Sequence, residues 1–271
     1  MRNLLITLVF LSLQAVPLAA DELVYDYEFK LFMVPEQVLT ANHDLAARPT
    51  ADFAISEIVT MRVQFMDSTK LDLNAEGWNT RIRKKKEGKK FELTYKKRYP
   101  ITTTIAAAIR QAAQDGFDGG NKYEAQVEWG YQKQTMSFSL NKDVKLDAYG
   151  NMAMPELRDA QKVCRDNVPD KLDDWHAPSW GSNILNNSHA FGPVNATRYV
   201  GVWEGTKIYI EVWQIRAKNG VGYEYPVEIS FKADNEESGI ALQAKLITFL
   251  KNRNWFLPED KLKTQMILER Y

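Results

Sequence analysis

The stretch that decides the fold is YDYEFKL at residues 25–31, in which aromatic or apolar side chains alternate with charged ones. Successive side chains of a β-strand point to opposite faces, so this period of two predicts a strand. One face of the strand would be apolar, with Tyr25, Tyr27, Phe29 and Leu31. The other would be ionic, with Asp26, Glu28 and Lys30. A strand of this kind must separate an apolar layer from a charged one.

The same alternation recurs along the whole chain and predicts nine strands. They are Leu23–Met33, Ile58–Met66, Thr80–Lys86, Phe91–Arg98, Tyr123–Gly130, Gln132–Leu140, Arg198–Trp203, Lys207–Arg216 and Tyr223–Lys232. Apolar residues at helical spacing predict helices over Thr102–Gln114, Glu156–Asn167 and Glu237–Asn252. Short turns between several strands favour antiparallel hairpins.

The charges on the polar faces are sorted by strand. Acidic side chains dominate the first, fifth and last predicted strands, and basic side chains dominate the third and fourth. A barrel with a charged lumen and helices packed on its apolar outside would use both faces. Buried charges of one sign are costly unless they are paired or bound to a ligand. We therefore predict a β-dominated α+β fold, an antiparallel closed β-barrel whose charged lumen forms a tunnel.

Seven segments, in order along the chain, resemble the CYTH or triphosphate tunnel metalloenzyme superfamily. Asp26–Lys30 resembles its E-x-E-x-K strand, and Gln64–Ser68 its YFDT segment. The remaining matches are Leu71 to Arg83 with the L…G…RIR strand, Phe91–Lys96 with LTxK, Thr197–Tyr199 with KTRY, and Glu211 and Glu228 with the two later acidic strands. The matches span nearly all of residues 23–251.

This resemblance implies a site that holds a phosphate chain and a divalent cation, Mg²⁺ or Mn²⁺. The implied metal ligands are Asp26, Glu28, Glu211 and Glu228. The implied substrate-binding residues are Lys30, Arg81, Arg83, Lys85, Lys96, Arg98 and Arg198, and Glu28 and Lys30 would act in catalysis. The lysines of opposite parity or in the following turn, Lys84, Lys86, Lys89 and Lys90, are expected in solvent. Trp213 stands where an acidic residue is common in that superfamily.

The function that the resemblance implies is metal-dependent hydrolysis of a triphosphate or polyphosphate. Two alternatives stay open: a non-catalytic protein of the same fold that binds polyphosphate or another polyanion, and an adenylate cyclase-like activity. A lipocalin-like carrier is disfavoured because its lumen would be apolar. Lys+Arg and Asp+Glu both number 35, so no overall charge attracts nucleic acid.

The beginning of the chain has the pattern of a signal peptide. Arg2 precedes an apolar run from Leu4 to Leu13, and small residues follow up to Ala20. We expect cleavage after residue 20, a secreted or periplasmic protein, and no stable membrane insertion after cleavage. Residues 21–271 are expected to form one domain, with an insertion at about 141–197. A single cysteine, Cys164, excludes an internal disulfide.

Overall fold

The protein is described by a computed structural model that covers residues 23–86, 88–119 and 122–271. The predicted signal peptide lies outside the described residues. The strands are β1 (Tyr25–Met33), β2 (Glu57–Asp67), β3 (Trp78–Lys85), β4 (Phe91–Pro100), β5 (Glu124–Trp129), β6 (Gln134–Val144), β7 (His189–Trp203), β8 (Thr206–Arg216), β9 (Tyr223–Glu224), β10 (Val227–Ala233) and β11 (Phe256–Leu257).

The helices are short except for one near the end of the chain. They are α1 (Pro35–Val38), α2 (Ala47–Asp52), α3 (Asp72–Ala75), α4 (Ile105–Gln114), α5 (Leu157–Arg165), α6 (Asp170–Asp173), α7 (Trp180–Asn186), α8 (Glu236–Lys251) and α9 (Lys263–Leu268). Within the described part of the chain, no helix has both the length and the apolar character needed to cross a bilayer.

Nine strands close into a barrel in the order β10-β1-β5-β6-β4-β3-β2-β7-β8, because β8 pairs with β10. Neighbouring strands are antiparallel except β1 and β5, which are parallel. The predicted fold class is thereby confirmed. The strands with acidic rows, β10, β1 and β5, are neighbours in the barrel, and so are β3 and β4 with their basic rows. The charge sorting seen in the sequence therefore becomes two opposing walls.

The outward faces of most strands are apolar and form the main core with the helices. Phe29 on β1 stacks on Phe231 of β10 with 5.1 Å between ring centroids. Helix α8 lies over these two strands, and a Cβ built on its Gly239 would come within 2.1 Å of the Phe29 ring. A glycine at that position lets the helix approach closely enough to cover the rings, which are at most 1% exposed.

The predicted last strand is divided in the structure. Residues 225 and 226 separate β9 from β10, and Pro226 has no amide hydrogen with which to continue a ladder. Around the predicted insertion, β6 extends to Val144 and β7 begins at His189, with α5, α6 and α7 between them. Strands β6 and β7 therefore include the two ends of the predicted insertion, residues 141–144 and 189–197.

One outer-face lysine departs from the expectation of solvent exposure. Lys84 is 3% exposed, and its ammonium lies 4.4 Å from the centroid of the Phe91 ring. Tyr149, from the segment after β6, packs edge-on against the same ring. The expectation for Lys84 is wrong because the segment after β6 covers this part of the barrel, which the sequence pattern did not reveal.

Candidate functional site

The lumen contains a chamber of about 810 Å³, lined by inward side chains of the barrel strands and by residues 260–265. The C-terminal segment crosses the end of the barrel where β8 and β2 finish. There Met266, Ile267 and Leu268 are buried against a cluster that includes Phe65 and Trp213. At the other end Lys232 pairs with Asp26 at 3.4 Å, and both side chains are more than half exposed. The chamber is therefore plugged at one end and has a charged mouth at the other.

Arg81 and Arg83 on β3 and Glu92 on β4 form what we call the arginine wall. Arg81 Nη2 lies 3.2 Å from Glu92 Oε1 and donates to Thr94 Oγ1 at 2.8 Å. Arg83 Nη2 lies 2.6 Å from Glu92 Oε2. The three side chains face the chamber together because β3 and β4 are antiparallel neighbours, in which Arg83 and Glu92 are direct partners and Arg81 is opposite Thr94. One carboxylate thus serves two guanidinium groups.

The arginine wall is short of negative charge. Burial, and then the repulsion of Arg83, lower the pKa of Arg81 to about 10, although Glu92 partly opposes this change. Arg81 Nε and Arg83 Nε are buried and have no hydrogen-bond partner among the described residues. Buried donors of this kind are normally satisfied by protein, water or a ligand. The wall therefore has the composition of an anion site.

A second cluster surrounds Glu128 on β5. The distances to its carboxylate oxygens are 2.5 Å from Lys96 Nζ, 3.4 Å from Arg98 Nε and 3.6 Å from Lys30 Nζ. Burial would raise the pKa of Glu128, but Lys30, Lys96 and Arg98 hold it well below its usual value. Burial lowers the pKa of Lys96 to about 8, with Arg98 and Lys30 adding to the shift and Glu128 opposing it. Positive charge again exceeds negative charge at this point of the chamber.

The opposite wall is arranged differently, around what we call the glutamate–lysine site: Glu211, Glu228 and Lys263. Lys263 Nζ lies 2.5 Å from Glu211 Oε2 and 2.8 Å from Glu228 Oε1. Arg198 Nη2 approaches Glu211 Oε1 at 2.6 Å. Glu211 and Glu228 are direct partners across β8 and β10, which is why their carboxylates meet.

The groups of the glutamate–lysine site shift one another's pKa values. Burial would raise the pKa of Glu211, yet Lys263 and Arg198 lower it. Burial and the neighbouring Glu211 carboxylate raise the pKa of Glu228, against the opposing effect of Lys263. Burial alone would lower the pKa of Lys263, but the two carboxylates outweigh it and raise the pKa. Lys263 is therefore an ammonium ion at neutral pH.

Two solved structures share this architecture. A proposed adenylyl cyclase from Hippeastrum, HpAC1, described as having a dominant triphosphatase activity, matches with 12% identity and a TM-score of 0.56, over 90% of this chain and 99% of its own. A proposed adenylate cyclase from Bacillus halodurans matches with 14% identity and a TM-score of 0.51, over 89% of this chain and 96% of its own. The chain has the triphosphate tunnel fold.

The identification concerns the fold, because identities this low do not carry a function with them. No protein-family model and no curated protein sequence matches the chain. The resemblance seen in seven short segments of the sequence is thus confirmed by the course of the backbone over about nine-tenths of the chain.

Most of the predicted site residues meet in the tunnel. The chamber is lined by Glu28, Lys30, Arg81, Arg83, Lys96, Arg98, Arg198, Glu211 and Glu228. Two predicted residues lie elsewhere. Lys85 is exposed at the end of β3, and Asp26 pairs with Lys232 at the mouth. Both have the inward parity, but each lies one step beyond the chamber along its strand. The sequence analysis did not include Lys263 and Glu92 among the site residues.

The sequence resemblance implies that Asp26, Glu28, Glu211 and Glu228 hold a divalent metal. Glu28 Oε2 is 2.8 Å from Lys30 Nζ, and Glu211 and Glu228 share Lys263. Among the residues that the structure describes, no group of three or more His, Cys, Asp or Glu side chains is placed to hold a metal ion. Each implied carboxylate already contacts a basic side chain. In this arrangement the four acids do not fit a divalent metal.

Proposed function

We propose that the tunnel binds a linear phosphate chain, as inorganic triphosphate, as the triphosphate group of a nucleotide, or as the end of a polyphosphate. The observation that carries the proposal is the arginine wall, where two partly buried guanidinium groups share one carboxylate and their buried Nε donors stay unfilled. Guanidinium groups match phosphate oxygens in geometry and hold their charge at any physiological pH.

The distribution of charge favours a chain over a single small anion. Basic side chains line the chamber from the arginine wall to the Glu128 cluster and on to Arg198. A triphosphate offers several anionic oxygens in a row and could contact groups on β3, β4 and β7 at once. The chamber volume of about 810 Å³ lies within the usual range of small-molecule sites.

The protein's own residues would then bind and orient the chain. Glu92 holds Arg81 and Arg83 in place before a ligand arrives, so little side-chain ordering remains to be done on binding. Lys96 and Arg98 would hold a second phosphate group beside Glu128. The plugged end makes the mouth beside Asp26 and Lys232 the route by which a ligand enters.

Isothermal titration calorimetry with inorganic triphosphate tests this proposal. We expect binding that is much tighter than that of orthophosphate, because one phosphate group cannot reach all the basic clusters. Arg83→Ala should weaken it, whereas Lys86→Ala, at an exposed position beyond the strand, should not. Equal affinity for the two anions, or equal losses for the two variants, would contradict a tunnel site.

A second candidate function is hydrolysis of the bound chain, and the fold shared with HpAC1, described as a triphosphatase, favours it. Glu28 and Lys30 contact each other in the chamber and remain the predicted catalytic pair. The need for Mg²⁺ or Mn²⁺ stays a prediction for this reaction. Phosphate release from triphosphate, measured with each metal and with a chelator, decides between binding and turnover. The same incubation with ATP, analysed for a cyclic nucleotide, tests the cyclase alternative.

We also propose that the protein is exported after removal of residues 1–20, on the sequence pattern alone. Mass spectrometry of the protein from its native host would show a chain that begins near Asp21. Recovery of a chain that still carries Met1 would contradict export by this route.

A further inference from the structure

Lys263 is the one chamber residue of the C-terminal helix that reaches the acidic wall, as far as the described residues show. Its side chain is 16% exposed, and its ammonium contacts both Glu211 and Glu228 at 2.8 Å or less. The Trp213 ring lies 4.7 Å from the same ammonium, and its indole N–H donates to Glu211 Oε2 at 2.9 Å. Trp213 thus fixes one carboxylate and covers the cation that this carboxylate holds.

The segment that carries Lys263 is anchored on both sides of it. On one side the Asp260 carboxylate accepts hydrogen bonds from the backbone N–H groups of Tyr131, Gln132 and Lys133, at 2.6–3.0 Å. On the other side Met266, Ile267 and Leu268 are at most 9% exposed, and Arg270 pairs with Glu224 at 2.8 Å. Withdrawing the lysine backbone would expose this apolar cluster to water. The ammonium is therefore a fixed part of the chamber.

We propose that Lys263 is a built-in cation that takes the place of a divalent metal between Glu211 and Glu228, so that this pair binds neither Mg²⁺ nor Mn²⁺. The two carboxylates carry two negative charges, and Lys263 with Arg198 supplies two positive charges at hydrogen-bond distance. A metal ion would have to displace the lysine or add two further positive charges to a neutral, buried group. Both alternatives are unfavourable.

The built-in cation is independent of phosphate binding in the tunnel. The sequence resemblance assigned Glu211 and Glu228 to a metal, but the chain itself neutralises this pair. At position 213 the related family commonly has an acid, which could ligate a metal. The indole ring of Trp213 has no oxygen with which to ligate Mg²⁺, so this ligand is absent as well. A cation elsewhere in the chamber, held by phosphate oxygens, is left open by this inference.

The test uses Mn²⁺ alone, without any phosphate, and measures free Mn²⁺ by electron paramagnetic resonance in titrations of the full mature chain. The wild type should show no binding that depends on Glu211 or Glu228. Lys263→Met keeps the length of the side chain and removes its charge. The variant should gain one Mn²⁺ site, with an affinity at least about tenfold higher than that of the wild type. Lys263→Met combined with Glu228→Gln should lose that site again.

Lys261→Met is the matched control, because Lys261 is a neighbouring, 40% exposed lysine that pairs with Glu259. It should bind no more Mn²⁺ than the wild type, and so should Lys263→Arg, which keeps the charge. A folded Lys263→Met protein that gains no site would overturn the proposal.

The wild type alone decides the matter if Lys263→Met fails to fold. Mn²⁺ binding by the wild type that disappears in Glu228→Gln would overturn the proposal, and the absence of such binding would support it. Because no phosphate is present, these results are separate from the calorimetry with triphosphate. A protein that binds no triphosphate could still have the built-in cation, and the reverse also holds.

Discussion

The arginine wall and the glutamate–lysine site face the same chamber but differ in how their charges are balanced. At the first, two guanidinium groups share Glu92, and buried N–H donors lack a partner in the described structure. At the second, two carboxylates meet two cations, and an indole N–H fills a further acceptor position. One wall is complete without a ligand, whereas the other is not.

This difference indicates which wall is structural and which is functional. A buried charge that has its partners gains little from a ligand, and removal of one partner is costly because the other charge then stays buried without compensation. A buried charge that lacks a partner costs stability until a ligand supplies one. We therefore expect substitutions on the acidic side to change the free energy of unfolding, and substitutions on the basic side to change the affinity for phosphate.

The largest effect is expected for Glu211→Gln. It leaves Arg198 and Lys263 buried with one carboxylate fewer, and breaking such a pair typically costs about 3–5 kcal/mol. Urea denaturation measures the loss. Glu259→Gln, at a position that is 47% exposed and paired with Lys261, should change stability by less than about 1 kcal/mol. Similar losses for the two variants would remove the distinction between the walls.

Arg81→Gln should weaken triphosphate binding by roughly ten- to a hundredfold. Charge-assisted hydrogen bonds are typically worth about 1.5–3 kcal/mol, which corresponds to that range of affinity. The stability of the variant should hold or rise, because the change removes both the cost of burying the charge and the repulsion from Arg83, which lower the pKa of Arg81 to about 10. Calorimetry and thermal melting measure the two quantities. A variant that loses stability but keeps its affinity would mean that the arginine wall is structural.

The third prediction concerns pH. The pKa of Lys96 is about 8 in the free protein, so raising the pH from 7 to 9 removes the positive charge of its side chain. A bound phosphate group would keep Lys96 protonated over this range. Triphosphate affinity should fall by about tenfold over this range, by proton linkage at one group. The charged groups around Lys96 are Glu128, Arg98 and Lys30.

The control for the pH effect is Lys96→Arg, which stays charged throughout the range. Triphosphate itself also titrates, and the effect of this titration on affinity cancels in the ratio of the wild-type affinity to the variant affinity. A ratio that does not change between pH 7 and 9 would show that Lys96 does not contact the phosphate chain.

The smallest effect is expected at the mouth. Asp26 and Lys232 are 60% and 58% exposed, so their pair is screened by water and salt. Asp26→Asn should change both stability and triphosphate affinity by less than about 1 kcal/mol. If Asp26→Asn abolished metal-dependent phosphate release, Asp26 would belong to the site after all, as the sequence resemblance implied.

The sequence predicted the features that depend on which face of a strand a side chain occupies. Nine segments of alternating character became the nine strands of the barrel, and the sorting of acids from bases became two walls. Helices α4, α5 and α8 were predicted to within a few residues, since their apolar spacing is regular over two turns or more. The ionic faces also predicted a closed barrel, because charged faces on many strands need a common interior, but they did not predict that β8 and β10 would close it.

Parity gives the face of a strand but not the depth along the barrel. Asp26 and Lys85 point the right way and still lie beyond the chamber, since strand register and tilt decide where the lumen ends. Lys263 could not be found by the same reasoning. It begins a helix of six residues, too short for a periodic signal, and its partners are 52 and 35 residues earlier in the chain. Only the tertiary structure brings the three together.

The position of Lys263 near the C-terminus has a consequence for synthesis of the chain. Glu211 and Glu228 are made before the lysine that neutralises them, and β1 must wait for β10, about two hundred residues later, to complete its pairing. Contacts so distant in sequence form late and slowly. A chain that stops before residue 263 would have every strand of the barrel, yet Glu211 and Glu228 would lose the cation that they share, and the apolar end would lack its plug. Loss of the segment 263–271, by premature termination or by a protease, should therefore weaken the whole barrel.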